Sequence, residues 1–254
     1  VLDCDNTLWG GILGEDGING VKCDDMSGAG KVFYEIQELI VQLIKEGVIV
    51  CINSKNNLKD VEEVFNKKLM PLNYDDIVIK KVNWNNKASN LIDISNELNV
   101  GIQSLVFIDD SDFEINLIKE SLPAVKTMQV PKDIYKYPLE FRKLRNVFTR
   151  LNSSKEDNLK TQMYKDELKR NDTKNTYEDI NEYIKSLKLK MSISVNDLEI
   201  IERISQMTQK TNQFNATTIR LTKIEVNDFI KSINNYILSF SLSDKFGEFG
   251  VSGC

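Results

Sequence analysis

The sequence predicts an α/β protein whose first domain is a doubly wound parallel sheet. Over residues 1–130, short apolar runs typical of buried strands alternate with stretches whose apolar residues recur at helical spacing. Acidic residues or amides follow the predicted strands directly, as they do at the ligand-binding edge of an open parallel sheet. The 254 residues are 41% hydrophobic and 28% charged, which is ordinary for a globular protein with a sizeable core.

Strands and helices alternate throughout this first part. Val1 and Leu2 open the first predicted strand, which runs into an acidic motif. Residues 12–18 mix glycines and acidic residues with apolar ones, which predicts a small hairpin flap over that motif and not a separate cap domain. The remaining elements are predicted as helix 29–46, strand 48–52, helix 58–68, strand 77–79, helix 87–98, strand 105–108, helix 113–120 and strand 124–130. This β/α order favours parallel pairing of the strands.

A shift to polar composition around residues 145–180 predicts a domain boundary. We expect a first domain at 1–145, a linker with a helix at 146–175, and a second α/β domain at 176–254. The second domain is predicted as helix 176–187, strand 189–195, helix 197–210, an irregular segment 211–218, helix 224–233, strand 236–242 and a turn 245–250 before a truncated strand. Because the chain starts without Met inside a strand and stops at Gly253-Cys254 within a glycine-containing stretch, we expect a fragment of a longer protein.

Composition and charge exclude several classes of function. The net charge is −5 and no basic stripe is present, so we expect no nucleic-acid partner. The sequence has neither an apolar run long enough to cross a bilayer nor a secretory pattern, which predicts a cytoplasmic protein with no membrane partner. The four cysteines lack metal or disulfide spacing, and Cys51 is expected to be a reduced core thiol. Histidine is absent, which excludes Ser-His and Cys-His catalysis.

The opening motif, Asp3-Cys4-Asp5-Asn6-Thr7, carries the strongest chemical indication. Two carboxylates one residue apart at the end of a buried strand suit Mg²⁺, and Asp is one of the few side chains that form a covalent phospho-enzyme. On this interpretation Asp3 attacks phosphorus, while Asp5 protonates the leaving group and later activates water. The alternative from these residues alone is a strand-to-loop turn in which Asp, Asn and Thr cap backbone groups.

Three later features fit the phosphoryl-transfer interpretation. They are Ser54 with Asn53 after the second strand, Lys87 at the start of the helix after the third, and Asp109 with Asp110 at the end of the fourth. In a parallel sheet these loops emerge at one edge, which unites a nucleophile, carboxylate ligands, a hydroxyl donor and a cation. Each residue alone also has a structural explanation, as a helix cap or a solvated lysine. Only their combination and order favour the site.

These residues resemble the four motifs of the haloacid dehalogenase superfamily of phosphotransferases. More narrowly, the segments DCDNTLWGGILGEDG, NSKNN, NWNNKASN and FIDDSDFE are similar to those of the FkbH-like family. Downstream, TQKTNQFNATT and DKFGEFG resemble the acetyltransferase-like C-terminal half of that family. The chain departs from the family pattern at Ser111-Asp112, where Asn-Pro is expected, and at Asn86, where Pro is expected.

The resemblance implies a function beyond plain phosphatase. FkbH-like enzymes of polyketide assembly take the glyceryl unit of 1,3-bisphosphoglycerate, release both phosphates and deliver a glyceryl thioester to an acyl carrier protein. Two other functions stay open. One is a general Mg²⁺ phosphatase of small phosphorylated metabolites, and the other is a non-enzymatic adaptor that binds a carrier protein.

The resemblance also implies roles for individual residues. Asp3 is the nucleophile, and Asp5 is the general acid/base whose backbone carbonyl also touches Mg²⁺. Ser54, Thr7 and Asn53 hold the phosphate or the loop. Lys87 neutralises Asp3 and the phosphoryl group. Asp110 ligates the metal, and Asp109 orients Lys87. The sequence alone does not separate Asp109 from Asp110 in these last two roles.

Cys4 and one downstream cluster each have two possible roles. The Cys4 thiol could accept the glyceryl group as an enzyme thioester. Alternatively, Cβ directions alternate along a strand, so Cys4 would point into the core if Asp3 and Asp5 face the site. The downstream cluster consists of four polar residues, Thr211, Asn212, Gln213 and Asn215. These residues either line a site or form an ordinary turn.

Overall fold

The computed structural model describes residues 1–148, 160–210, 215–232 and 235–254. The chain divides into two units, Val1–Ser153 and Ser154–Cys254. The polar stretch 151–158, where the sequence places part of the linker, lies outside the described residues. The linker at 146–175 and the domain limits on either side of it therefore stay predictions.

The sheet of the first unit forms around the N-terminal residues. Leu2 bridges in parallel to Ile52 on one side and to Ile108 on the other. Four strands flank this segment: β1 (Val50–Ser54), β2 (Ile77–Val82), β3 (Val106–Asp109) and β4 (Lys126–Gln129). Because β1 pairs in parallel with β2, and β3 with β4, the order is β2, β1, residues 1–3, β3, β4. The acidic motif therefore leaves the middle of the sheet at its carboxyl edge.

Six helices are described in the first unit. They are α1 (Leu13–Gly20), α2 (Gly28–Lys45), α3 (Leu58–Lys67), α4 (Lys87–Glu97), α5 (Asp112–Ser121) and α6 (Tyr137–Phe148). Ser27 caps α2 by accepting the Gly30 N–H at 2.9 Å, and Gly47 follows the helix with φ +87°. The predicted α2 to α5 and β1 to β4 are confirmed with end points that shift by a few residues.

The predicted hairpin flap after the motif is wrong. Gly10 and Lys22 exchange two backbone hydrogen bonds of 2.9 Å, but the chain between them is helical in α1, with a break at Gly17. Asp16 accepts the Ile12 N–H through its side chain, and Leu13 is buried against the core. A local side-chain acceptor and one buried apolar residue therefore favour helical turns over an extended pair.

The core of the first unit lies on both sides of the N-terminal segment and β1. Every residue of β1 is buried, as expected for a central parallel strand. Cys4, Cys23 and Cys51 are free and buried, and burial raises the pKa of Cys51. These contacts agree with the prediction that Cys51 is a reduced core thiol.

The second unit combines helices with a small antiparallel sheet. Its elements are α7 (Lys160–Lys174), α8 (Ile180–Leu187), β5 (Lys190–Val195), α9 (Ile201–Lys210), α10 (Lys223–Lys231), β6 (Leu238–Ser243) and β7 (Glu248–Gly253). The strands pair in the order β5, β6, β7. Thr211, Asn212 and Gln213 of the predicted polar cluster lie outside the described residues. Within the described parts of the chain, no helix combines the length and apolar character needed to span a membrane.

A buried ion pair joins α7 to the turn before β7. Arg170 donates from Nε to Asp244 Oδ2 at 2.7 Å and from Nη2 to Oδ1 at 3.0 Å. Asp244 also accepts the backbone N–H groups of Phe246 and Gly247. The Arg170 guanidinium lies 3.9 Å from the ring centroid of Phe249. This two-pronged pair therefore fixes the turn that precedes β7.

We predict that Arg170→Ala lowers the free energy of unfolding of the second unit by about 3 kcal/mol, because it leaves the Asp244 carboxylate buried without its cation. Urea-unfolding curves measure this change. Lys169→Ala is the matched control, since its ammonium is mostly exposed, and it should change stability by no more than about 0.5 kcal/mol. Equal losses in the two variants would contradict a structural role for the Arg170–Asp244 pair.

Candidate active site

Lys87 joins two carboxylates at the carboxyl edge of the first sheet. Its Nζ lies 3.0 Å from Oδ1 of Asp3 and 2.6 Å from Oδ2 of Asp109. Asp3 ends the central segment, Asp109 ends β3 and Lys87 begins α4, so three separate stretches of chain meet. All three side chains are less than a tenth exposed, and charges attract more strongly at such a site than in water.

Burial and mutual charge shift the pKa values in this cluster. Burial raises the pKa of Asp3 to about 6, against the opposing charge of Lys87. Burial also raises the pKa of Asp109, with Lys87 again opposing. For Lys87, burial acts to lower the pKa, but the two carboxylates outweigh it and the pKa is raised. Lys87 is therefore a permanent cation, whereas the carboxyl groups need positive partners to stay ionised.

Asp110 completes an acidic trio beside Lys87. Oxygens of Asp3, Asp109 and Asp110 lie within 4.8 Å of one another. Burial raises the pKa of Asp110, and the charge of Asp3 adds to that shift. Asp109 uses Oδ2 for Lys87 and Oδ1 for the Ser111 N–H at 2.9 Å, so Asp3 and Asp110 have the freer oxygens. Clustered carboxylate oxygens are the ligands that Mg²⁺ prefers, so this donor set suits the ion.

Three N–H groups hold the carboxylate of Asp5. Its Oδ1 accepts from Trp9 Nε1 at 2.9 Å and from the Leu13 amide at 3.1 Å. Its Oδ2 accepts from Asn56 Nδ2 at 3.0 Å. The structure thus places Asp5 next to the acidic trio, but its side chain is bound to neighbouring N–H donors and is not one of the three clustered carboxylates.

The two predicted hydroxyl groups have different surroundings. Ser54 ends β1 and is buried, and its hydroxyl lies close enough to the Asp3 carboxyl group to act to lower the Asp3 pKa. Thr7 is wholly buried in the motif loop, where its N–H donates to the Cys4 carbonyl at 3.2 Å. The Thr7 hydroxyl oxygen has no hydrogen-bond partner among the described residues. Ser54 therefore lies beside Asp3, and Thr7 lies inside the loop that follows Asp3.

Asn53, which the sequence assigns to phosphate binding, contacts the backbone of Lys87 in the structure. Its side chain is wholly buried, and Nδ2 donates to the Lys87 carbonyl at 2.9 Å. Its Oδ1 accepts from Asn90 Nδ2 at 2.9 Å, and Asn90 also donates to Asn83. This buried amide network connects β1 to the first turn of α4, and so it sets where the Lys87 side chain begins. Asn90 had no functional indication in the sequence beyond its place in NWNNKASN.

Tyr137 is a second residue that sequence reasoning missed. Its hydroxyl donates to the Asn6 carbonyl at 2.8 Å, and Asn6 has a left-handed backbone with φ +50°. The Asn6 side chain in turn accepts the Gly11 N–H at 3.0 Å. Burial raises the pKa of Tyr137 to about 12, so the phenol keeps the proton that it donates. No sequence pattern connects Asn6 to a residue so distant in the chain.

Cys4 lies in the core and not at the site surface. Its side chain is wholly buried and packs in the hydrophobic cluster of the first unit. Burial, with the charge of Asp3 adding, raises the pKa of the Cys4 thiol well above its usual range. A thiol that neither ionises nor reaches solvent does not suit acyl transfer. The geometry fits the structural alternative for Cys4 and not the acyl-acceptor alternative.

The comparisons with known proteins give one structural relative. It is the N-terminal part of the protein BF1531 from Bacteroides fragilis, which contains a phosphatase domain and was solved in complex with Mg. The two chains are 39% identical with a TM-score of 0.56, and the match covers 59% of this chain and 40% of that one. No protein-family model and no curated protein matches the chain. The mixed α/β fold with its parallel sheet fits the predicted haloacid dehalogenase-like fold.

We predict that Mg²⁺ stabilises the first unit through the acidic trio. The raised pKa values of Asp3, Asp109 and Asp110 mean that the folded, metal-free protein loses stability as pH rises through those values. At neutral pH a bound cation reverses this loss. Mg²⁺ at about 100 times its dissociation constant should therefore raise Tm by about 5 to 10 °C over chelator-treated protein, as measured by differential scanning calorimetry.

Asp110→Asn separates the stability of the metal-free protein from the stabilisation by Mg²⁺. It removes one charge of the trio, so the Tm of the metal-free protein should rise while the increase with Mg²⁺ is lost. Asp93→Asn, which changes an exposed carboxylate on α4, is the control and should keep the full Mg²⁺ response. A Mg²⁺ response that survives in Asp110→Asn would place the ion elsewhere.

Proposed function

We propose that this protein is a Mg²⁺-dependent phosphatase that acts on small phosphorylated metabolites through an aspartyl-phosphate on Asp3. The observation that carries the proposal is the buried cluster in which Lys87 contacts Asp3 and Asp109 with Asp110 beside them. The similarity to a phosphatase domain complexed with Mg supports the same reaction class. A non-enzymatic adaptor has no need for an assembled cluster of this kind.

The residues of the site have distinct tasks in the proposed reaction. An oxygen of Asp3 attacks phosphorus, the bond from phosphorus to the leaving oxygen breaks, and Asp5 gives that oxygen a proton. Water then attacks phosphorus while Asp5 takes one proton of that water, the bond from phosphorus to the Asp3 oxygen breaks, and inorganic phosphate leaves the regenerated Asp3 carboxylate. Throughout both steps Lys87 faces the negative charge on Asp3 and the phosphoryl oxygens, and Ser54 donates a hydrogen bond beside them.

The three carboxylates of the acidic trio have two tasks, metal binding and contact with Lys87. Asp3, Asp110 and the backbone carbonyl of Asp5 would hold Mg²⁺, because Asp109 is already engaged with Lys87 and the Ser111 N–H. When bound, Mg²⁺ supplies positive charge that offsets the carboxylates and the phosphoryl oxygens. Asp109 then keeps the Lys87 ammonium directed at Asp3.

We predict that Asp3→Asn lowers turnover by about a thousand-fold or more, because the amide cannot form the covalent phospho-enzyme. Phosphate release from para-nitrophenyl phosphate with MgCl₂ measures turnover, and mass spectrometry of acid-quenched protein detects the phosphate on Asp3. Asp93→Asn is the control for loss of a carboxylate outside the site. Turnover near the wild-type value in Asp3→Asn would rule out the aspartyl-phosphate route.

A finer proposal adds acyl transfer to this phosphatase. The segments that resemble the FkbH-like family favour 1,3-bisphosphoglycerate as substrate and an acyl carrier protein as acceptor. In that reaction residues 176–254 form an acetyltransferase-like domain that handles the acyl group. Because Cys4 is buried, the glyceryl group passes to the carrier protein without an adduct on Cys4. The carrier thiol, giving up its proton to water, attacks the acyl carbon, the bond from that carbon to the phosphate oxygen breaks and that phosphate leaves, while Asp3 removes the other phosphate.

We predict that incubation with 1,3-bisphosphoglycerate, Mg²⁺ and an acyl carrier protein adds one glyceryl group to the carrier and releases phosphate. Intact-mass spectrometry of the carrier and a phosphate assay measure the two products. Phosphate release without a mass gain on the carrier would overturn the transfer proposal and leave the phosphatase proposal standing. A glyceryl adduct on Cys4 would contradict the direct route.

A further inference from the structure

We infer that Asn56 is a positioning residue that holds the general acid/base Asp5 and the hydroxyl of Ser54 in working orientation. The inference rests on the proposed phosphatase function and adds a residue to it. Asn56 lies two residues after the end of β1, within NSKNN, and its side chain is 5% exposed. It is therefore part of the wall of the site and not a surface amide.

The Asn56 amide bridges two groups with different tasks. Its Nδ2 donates to Asp5 Oδ2 at 3.0 Å and to Ser54 Oγ at 3.2 Å. Ser54 lies beside Asp3, and its hydroxyl acts to lower the Asp3 pKa. Asn56 thus links the acid/base to the serine that neighbours the nucleophile.

The direction of each of these hydrogen bonds follows from the amide group. An NH₂ group has two N–H donors and no acceptor, so it can serve a carboxylate and a hydroxyl oxygen at the same time. Because the Ser54 oxygen accepts from Asn56, its own proton is available to Asp3. A carboxylate or a methyl group at position 56 cannot impose this arrangement.

The other contacts of Asp5 show why one more donor matters. Trp9 and the Leu13 amide both bind Oδ1, which leaves Asn56 as the donor identified at Oδ2. Trp9 is wholly buried, so it holds the Oδ1 side rigidly. Without Asn56, the orientation of the Asp5 carboxyl plane depends on the contacts of Oδ1 alone, and the direction of Oδ2 and of a proton on it is less firmly set.

Loss of this positioning should depend on the leaving group. A nitrophenolate is stable as an anion and leaves without a proton, whereas an alkoxide needs the proton of Asp5 to leave. Misplacing a catalytic group by about 1 Å lowers a rate by about 100-fold. This difference concerns the first step, formation of the phospho-enzyme, and a merely structural role for Asn56 would lower the rate of that step equally with the two kinds of substrate.

The experiment compares glycerol 3-phosphate with para-nitrophenyl phosphate in the full chain with MgCl₂. For Asn56→Ala we expect kcat with glycerol 3-phosphate to fall by about 100-fold and KM to stay within about threefold of wild type. With para-nitrophenyl phosphate we expect a pre-steady-state burst of nitrophenol near one equivalent, because phospho-enzyme forms but its hydrolysis still needs Asp5 as base. Asn57→Ala is the matched control, since Asn57 is the adjacent residue of the same type, is exposed and bonds to Asp60.

Three outcomes would overturn the inference. The first is an equal loss in the rate of phospho-enzyme formation with both substrates, seen with para-nitrophenyl phosphate as absence of the nitrophenol burst, and the second is wild-type behaviour of Asn56→Ala. The third is absence of turnover in the wild-type protein, which overturns the phosphatase proposal as well, whereas the first two leave it intact. If Asn56→Ala does not fold by circular dichroism, Asn56→Asp replaces it. That variant keeps the shape but replaces the donor with an acceptor, and we expect the same dependence on the leaving group.

Discussion

One ammonium group shared by two buried carboxylates is the interaction on which the first unit depends. Lys87 contacts both Asp3 and Asp109, and with Asp110 the site holds three carboxyl groups against one cation. Such a cluster is stable only while every charge has a partner, because the attraction must offset removal of the ions from water. The excess of negative charge in the free protein is also what makes the site suited to a divalent cation and a phosphoryl group. Stability and chemistry therefore depend on the same contacts.

Neutral amide side chains hydrogen-bond to the residues of this charged cluster and to their neighbours. Asn53 and Asn90 connect β1 to the start of α4 and so place Lys87, while Asn56 connects Asp5 to Ser54. An amide can donate and accept without adding charge, so it can orient buried ionic groups without altering the balance between them. Tyr137 acts in the same way on the motif loop, through the Asn6 carbonyl. The charged side chains of the candidate site are thus held by a layer of uncharged hydrogen-bonding groups.

The local sequence pattern correctly predicted most helices and strands of the first unit, but it was wrong for the segment after the acidic motif. Apolar runs and helical spacing predicted β1 to β4 and α2 to α5, because burial of one face or one strand imposes that periodicity on the sequence. The segment after the motif was predicted as a hairpin and is helical in α1, where the Asp16 side chain accepts the Ile12 N–H. Its mixture of glycines and acidic residues suits either conformation, and the burial of Leu13 that favours the helix is a tertiary contact.

The sequence by itself determined which stretches of the chain meet at the candidate site. Asp3, Lys87 and Asp109 each stand at the end of a strand or the start of the following helix, and parallel topology sends all such positions to one edge. Only the tertiary structure decided which partner each side chain contacts. It showed that Asp109 is occupied by Lys87, that Asn53 faces a backbone carbonyl, and that Cys4 is buried in the core. The physical reason is that strand order follows from local periodicity, whereas the partner of a side chain depends on contacts between residues far apart in the chain.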